Sequence, residues 1–162
     1  VDKRQQRLSV GAGPPEEVIA LADGRVEVTG FVPDLLPVFE RARVCVAPIR
    51  YGAGIKGKVI HAMAHGVPGV VTPVAAEGMG LTDGRQVFIA DDPGTFAERV
   101  LGLFVDDALW ADMREEGIAF VEENYSWARC LARCTEALEV ADRTWARRRA
   151  AADGNLAPLD LA

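Results

Sequence analysis

The sequence is poor in lysine, cysteine and histidine, and it has no long apolar run. Only three lysines occur, Lys3, Lys56 and Lys58, and the 162-residue chain carries a formal net charge of −6. An acidic chain of this kind is not built around a nucleic-acid surface. No apolar stretch approaches the roughly 18–20 residues that a membrane span needs. The first residues, VDKRQQRLSV, lack the apolar segment of a signal peptide. Cys45, Cys130 and Cys134 are odd in number and scattered. A disulfide framework is therefore not expected, the thiols read as core residues, and the compartment reads as cytoplasmic. His61 and His65 are the two histidines, far from Cys130 and Cys134 in sequence, so a Cys/His metal centre is not expected either.

What is present is a globular composition, 49% hydrophobic, in a length that suits one domain. The chain starts abruptly, without Met and with charged residues leading straight into a strand, and reads as a fragment of a longer protein.

The most informative stretch is RVCVAPIRYGAGIKGKVIHAMAHGVPGVVTP, Arg43 to Pro73. Val44 to Pro48 is a short apolar strand. Gly52, Gly54 and Gly57 interrupt any period, and Val59, Ile60, Met63 and Ala64 then fall at helical spacing. Gly66 and Pro68 stop that helix, and Gly69 to Thr72 is again a strand. A glycine-rich connection before a helix suits phosphate: glycine permits close backbone approach and positive φ, and a helix N-terminus offers unpaired N–H groups and a positive dipole end. Two of the three lysines, Lys56 and Lys58, lie here, and both are expected to be exposed. The plain alternative is a turn with solvated lysines. The loop lacks the Gly-Lys-Ser/Thr of a Walker A motif.

Elsewhere, strands alternate with helices. Leu8–Gly11 is a strand that runs into Gly11–Pro14. Gly11-x-Gly13 fails the dinucleotide fingerprint, because Glu16 stands where a third glycine is needed. A helix follows to about Ala22, then a strand at Val26–Thr29, then a helix capped by Asp34 and running to about Ala42. Pro73 to Gly80 reads as a flexible connection. A strand follows at Gln86–Ala90, then a helix opened by Asp92-Pro93 with Phe96, Ala97, Val100, Leu101 and Phe104 as its buried stripe. A further helix covers about Asp107–Val121, and Ser126 caps a last one with Trp127, Leu131, Cys134 and Leu138 on one face and Trp127 buried. The expected organisation is a Rossmann-like domain over 1–142, mainly parallel with helices on both faces, and a basic flexible tail over 143–162. The loops Gly11–Pro14, Gly30–Pro33, Arg50–Gly57 and Pro73–Gly80 all follow strands and are expected to line one crevice.

Taken together, these pieces resemble the C-terminal half of the retaining GT-B glycosyltransferases of family 4, the group 1 class. The likeness runs in order through Val10-Gly11-Ala12-Gly13-Pro14, Val28-Thr29-Gly30-Phe31-Val32, Ala47–Gly54, Ile55-Lys56-Gly57-Lys58, Ala62–Pro68, Pro73–Gly78 and Tyr125-Ser126-Trp127. The resemblance implies a domain that binds a nucleotide-diphospho-sugar, with transfer of a hexosyl unit to an acceptor held by a missing N-terminal domain. It implies that Gly52, Gly54, Ile55 and Gly57 cradle the diphosphate, that Gly30, Phe31 and Val32 lie beside the base, and that Lys56 and Lys58 meet the charge of the leaving diphosphate. His61 falls where the family's helix reaches the ribose. No cofactor and no metal are implied, and membrane association of the full protein is left open.

This sequence departs from the family in three ways. The family's paired glutamates, aligned on Ala62-Met63-Ala64, fall on Ala53 and His61. Its usual phosphate-binding arginine and lysine belong to a βα unit that would precede Val1. Its acceptor domain is missing. The chain alone is therefore expected to bind donor weakly and to lack turnover. Two other readings stay open: a non-catalytic nucleotide-sugar or phosphate-binding module of the same fold, and a related GT-B enzyme such as a sugar epimerase.

Overall fold

A computed structural model describes residues 7–11, 13–23 and 25–152. Ala12, Gly24, the first six residues and the tail from Asp153 onward lie outside the described residues. The chain divides into two compact units, Val1–Arg43 and Val44–Ala162.

In the first unit, β1 (Arg7–Val10) pairs in parallel with β2 (Val26–Gly30). The connecting helix, α1 (Glu16–Ile19), is a single turn, shorter than the helix expected to Ala22. The register shifts between Ser9 and Val10, so Val10 faces Gly30. Gly30 takes φ 69°, and its carbonyl accepts the Gly11 N–H at 3.0 Å. α2 (Leu36–Arg41) follows; its N-cap is Leu35 where the sequence predicts Asp34, and the Asp34 carboxylate, one residue earlier, accepts the Leu36 N–H at 2.9 Å.

The second unit holds a parallel sheet in the order β3 (Cys45–Ala47), β4 (Gly69–Val71), β5 (Val87–Ile89). Parallel strands need helical crossovers, and these clothe both faces of the sheet. On one face Ala47, Val71 and Val87 pack against Val59 and Met63 of α3 (Gly57–Ala64) and Ala75 of α4 (Pro73–Ala76). On the other, Val70 packs with Leu103 of α5 (Pro93–Val105) and Met113 of α6 (Asp107–Tyr125). Val70 and Val71 are adjacent, so period-2 alternation sends them to opposite faces of a doubly covered strand. Each fully buried Val, Leu or Met contributes about 1.5–3 kcal/mol. The fold class expected from the sequence is thus observed, as parallel sheets with helices on both sides; the hydrogen-bonded strands form a pair and a triplet.

Several local expectations are corrected. Pro73–Ala76 is the helical turn α4, not a flexible link: Thr72 caps it and Ala75 is fully buried. The buried stripe of α5 runs through Phe96, Val100 and Leu103, whereas Ala97, Leu101 and Phe104 are exposed. The apolar pattern does not single out Leu103, because a helix with apolar residues on several sides has more than one candidate stripe. The last helix, α7 (Trp127–Ala152), does not bury Trp127, which is 82% exposed, nor Cys130, Cys134, Leu131 or Leu138. It also runs unbroken through the 142/143 boundary where the sequence predicts the start of a flexible tail. Arg143 to Ala152 are helical, and the tail from Asp153 onward lies outside the described residues. Arginine and alanine favour helix, so loss of the apolar period after Ala141 does not end it.

Candidate functional site

The site is built where β3 and β4 end. Thr72, the first residue past β4, fastens the two exits together. Its hydroxyl donates to the Ile49 carbonyl at 2.6 Å, its N–H donates to the Ala47 carbonyl at 3.2 Å, and its oxygen accepts the Ala75 N–H at 3.3 Å. One side chain therefore anchors the start of the glycine loop and caps α4. Sequence reasoning missed Thr72, although a capping residue followed by proline is a readable signal.

From Ile49 the chain crosses Arg50, Tyr51, Gly52, Ala53, Gly54 and Ile55 and enters α3 at Gly57. Gly52 takes φ 131° and Gly54 φ 77°, conformations that side-chain-bearing residues avoid. Within this turn lies Lys56, only 9% exposed, with its ammonium donating to the carbonyls of Gly52 at 3.0 Å and Gly54 at 2.6 Å. The expectation of two exposed lysines is thus corrected: Lys58 is exposed in the first turn of α3, and Lys56 is buried beneath the loop. A lysine four residues beyond one glycine and two beyond another has a stem long enough to fold back on both carbonyls.

α3 ends as its glycine predicts. Gly66, φ 68°, donates to Met63 O at 2.9 Å, and Val67 donates to Ala62 O at 2.9 Å, the two bonds of a Schellman cap. His61 is exposed one turn into this helix. Cys45, on β3, has its thiol pKa pushed up by burial and partly drawn back down by the positive charge of Lys58.

The residues singled out from sequence fall into two groups. Gly52, Gly54, Ile55, Lys56, Gly57, Lys58 and His61 come together in the second unit, at the loop and the first turns of α3. Gly30, Phe31 and Val32 belong to the first unit, at the end of β2, where Phe31 is exposed. Among the described residues no group of three or more His, Cys, Asp and Glu gathers to hold a metal ion. Nor is any described helix long and apolar enough to cross a membrane.

With this geometry in place, comparison with known proteins is decisive on one point. Residues 2–106 match the family model described as "Glycosyl transferases group 1". The chain belongs to the group 1 glycosyl transferases. Over 92 residues it is 27% identical to an uncharacterized 44.6 kDa protein in the cps region of Klebsiella pneumoniae, spanning 57% of this chain and 24% of that one. Its fold is similar to that of sucrose-phosphate synthase from Thermosynechococcus elongatus, with TM-score 0.72 and 21% identity over 87% of this chain and 39% of the other. It is also similar to Anabaena HepE, solved in complex with UDP-glucose, with TM-score 0.73 and 16% identity over 83% of this chain and 41% of the other. At these identities the structural likeness is one of fold, the GT-B fold. This group 1 chain spans well under half the length of each of these three relatives.

Proposed function

We propose that this chain is the donor-binding part of a retaining glycosyltransferase, one that moves a hexosyl unit from a nucleoside diphosphate to an acceptor bound by another part of the protein. The observation that carries the reading is the loop Gly52–Lys58: two positive-φ glycines at the carboxyl end of a parallel strand, opening onto a helix N-terminus, with a cation below and a cation beside. Such a loop meets a diphosphate with backbone N–H groups and positive charge, which stabilises the negative charge that develops as the sugar leaves. Family membership supports this assignment, and the UDP-glucose held in the HepE complex is a donor of this chemical class.

In this reading Lys58 makes the charged contact to the diphosphate, Gly52, Gly54, Ile55 and Gly57 line it, and His61 donates to or accepts from a ribose hydroxyl in place of the family's glutamate. The reading calls for no metal and no cofactor. A second reading, a module that binds nucleotide sugar without transfer, is favoured by Ala53 and His61, which stand where the family's glutamates are expected.

The test is calorimetry with UDP, GDP, ADP and TDP, their sugars and the bare nucleosides. One diphosphate series should bind in the millimolar to high-micromolar range, corresponding to roughly 4–6 kcal/mol. Lys58→Met should weaken diphosphate binding about 10- to 100-fold and leave nucleoside binding unchanged. Equal affinity for wild type and variant would defeat the assignment of Lys58. Transfer is expected of the whole protein and not of this chain alone; binding without transfer by the whole protein, across an acceptor panel, would favour the module.

A further inference from the structure

We infer that Lys56 is a positioning residue: its buried ammonium sets the direction of the loop's peptide groups, and through them the donors that a phosphate meets. The ammonium draws the carbonyl oxygens of Gly52 and Gly54 inward. No described peptide bond is cis. In a planar trans peptide the carbonyl of one residue and the N–H of the next point in opposite directions. Turning the Gly52 and Gly54 oxygens toward Lys56 therefore turns the N–H groups of Ala53 and Ile55 away from it, toward the exposed side of the loop. Among the described residues neither of these N–H groups has a hydrogen-bond partner. Backbone donors two residues apart, aimed the same way from a glycine-rich turn, form a concavity for an anion.

The glycines are part of the same device. Positive φ at Gly52 and Gly54 is what lets both carbonyls converge on one point. A Cβ on Gly52 would lie 3.9 Å from the Lys56 nitrogen, an ordinary contact, so it is the positive φ that calls for glycine there. The buried ammonium, held by two carbonyl dipoles, lies directly under the two outward donors. The charge and the dipoles then favour the same ligand, an oxyanion. On this account Lys56 acts on the ligand through the backbone as well as by its field, a different role from the exposed Lys58. The class of anion, a diphosphate, rests on the donor-binding reading; the clasp does not.

Two measurements on the 162-residue chain test this. In the ligand-free protein, Lys56→Met should lower the backbone amide order parameters between Ala53 and Gly57 from the rigid range, about 0.85, to below about 0.6, while those of Val70 and Val71 in β4 stay high. Lys56→Arg, which restores a cation with several donors, should recover most of that order. In wild-type protein, inorganic pyrophosphate should shift the amide resonances of Ala53 and Ile55, and Lys56→Met should weaken that response at least fivefold. Loop order unaltered by Lys56→Met, or Ala53 and Ile55 amides that ignore pyrophosphate in the wild type, overturns the inference. A chain that responds to pyrophosphate at these two amides and yet binds no nucleoside diphosphate would keep the clasp and defeat the donor-binding reading.

Discussion

The side chain of Arg114, on α6, lies across the backbone of Gly66, at the end of α3, so closely that a Cβ added to Gly66 would stand 2.7 Å from the Arg114 Nε. This close approach ties α3, which carries Lys58 and His61, to the 19-residue helix packed on the sheet.

Gly66 is therefore constrained twice, by its φ of 68° and by Arg114. Gly66→Ala should destabilise the fold by about 1–2 kcal/mol from the left-handed backbone alone. The displaced guanidinium adds to that. In an Arg114→Ala background the penalty should shrink to the backbone part. Denaturation midpoints of the four proteins check this; identical penalties in both backgrounds would mean that Arg114 moves aside at no cost.

Lys58 and Cys45 make a pH-dependent pair. Burial raises the Cys45 thiol above its ordinary value, and Lys58 opposes the rise. Lys58→Met should raise it further and slow alkylation of Cys45 several-fold near pH 8.5, read by mass spectrometry so that exposed Cys130 and Cys134 are scored apart. A thiol raised on folding stabilises the native state below its unfolded pKa, about 8.5, and that contribution is lost as pH climbs through the folded value. Stability should thus decline as pH rises above about 8.5. Cys45→Ser should flatten that decline, and a slope unchanged by it would clear Cys45 of the effect.

Asp83 closes the exposed edge of β5. Its carboxylate accepts the Ile89 N–H at 2.7 Å and pairs with Arg99, whose guanidinium also donates to the Ile89 carbonyl and lies 5.1 Å from the Phe88 ring centre. Partial burial pushes the Asp83 pKa up, but the hydrogen bonds from Ile89 and Arg99 outweigh it and hold it low. The stabilisation is present above the unfolded value of about 3.9 and is lost as pH falls below it. Asp83→Ala should cost about 1 kcal/mol at pH 7, a modest figure because the pair is partly exposed. The cost should shrink steadily as pH falls below about 3.9. A penalty that stays constant as the pH is lowered would assign it to packing instead of charge.

Thr72 carries the joint between β3, β4 and α4. Thr72→Val keeps the shape and deletes the hydroxyl, leaving the Ile49 carbonyl without that donor, while the Ala75 N–H keeps the Thr72 backbone carbonyl at 2.9 Å. The expected loss is about 1–2 kcal/mol of stability. Lower amide order parameters should also appear at Tyr51–Gly54, since the loop would lose its anchor at Ile49. A stable variant with unchanged loop order would show that the backbone bond from Thr72 to Ala47 suffices.

Local signals are the legible ones. Gly66 with Pro68, Asp92-Pro93, Ser126 and the alternation of apolar strands with helices each act within a few residues, so spacing alone reveals them. The glycine loop is legible for the same reason. Lys56 is legible as a residue of interest but not as a buried one, because sequence does not say which way a flexible stem turns. The apolar pattern of α5 points to Leu101 where the fold buries Leu103, and that of α7 predicts too short a helix and a buried Trp127.

By itself the sequence determined the order and type of the main elements, the parallel α/β class, the position of the glycine loop ahead of α3 and the family likeness, because these follow from backbone propensity, apolar period and capping chemistry. Tertiary structure alone decided that Lys56 folds under its own loop, that Thr72 joins two strand ends, that Arg114 seals Gly66, and that the apolar face of α7 stays exposed. Each of these depends on which surfaces meet in space. Two lysines of identical composition, two residues apart, end in opposite environments because one stem reaches inward to two glycine carbonyls and the other, a residue beyond the helix start, points to solvent.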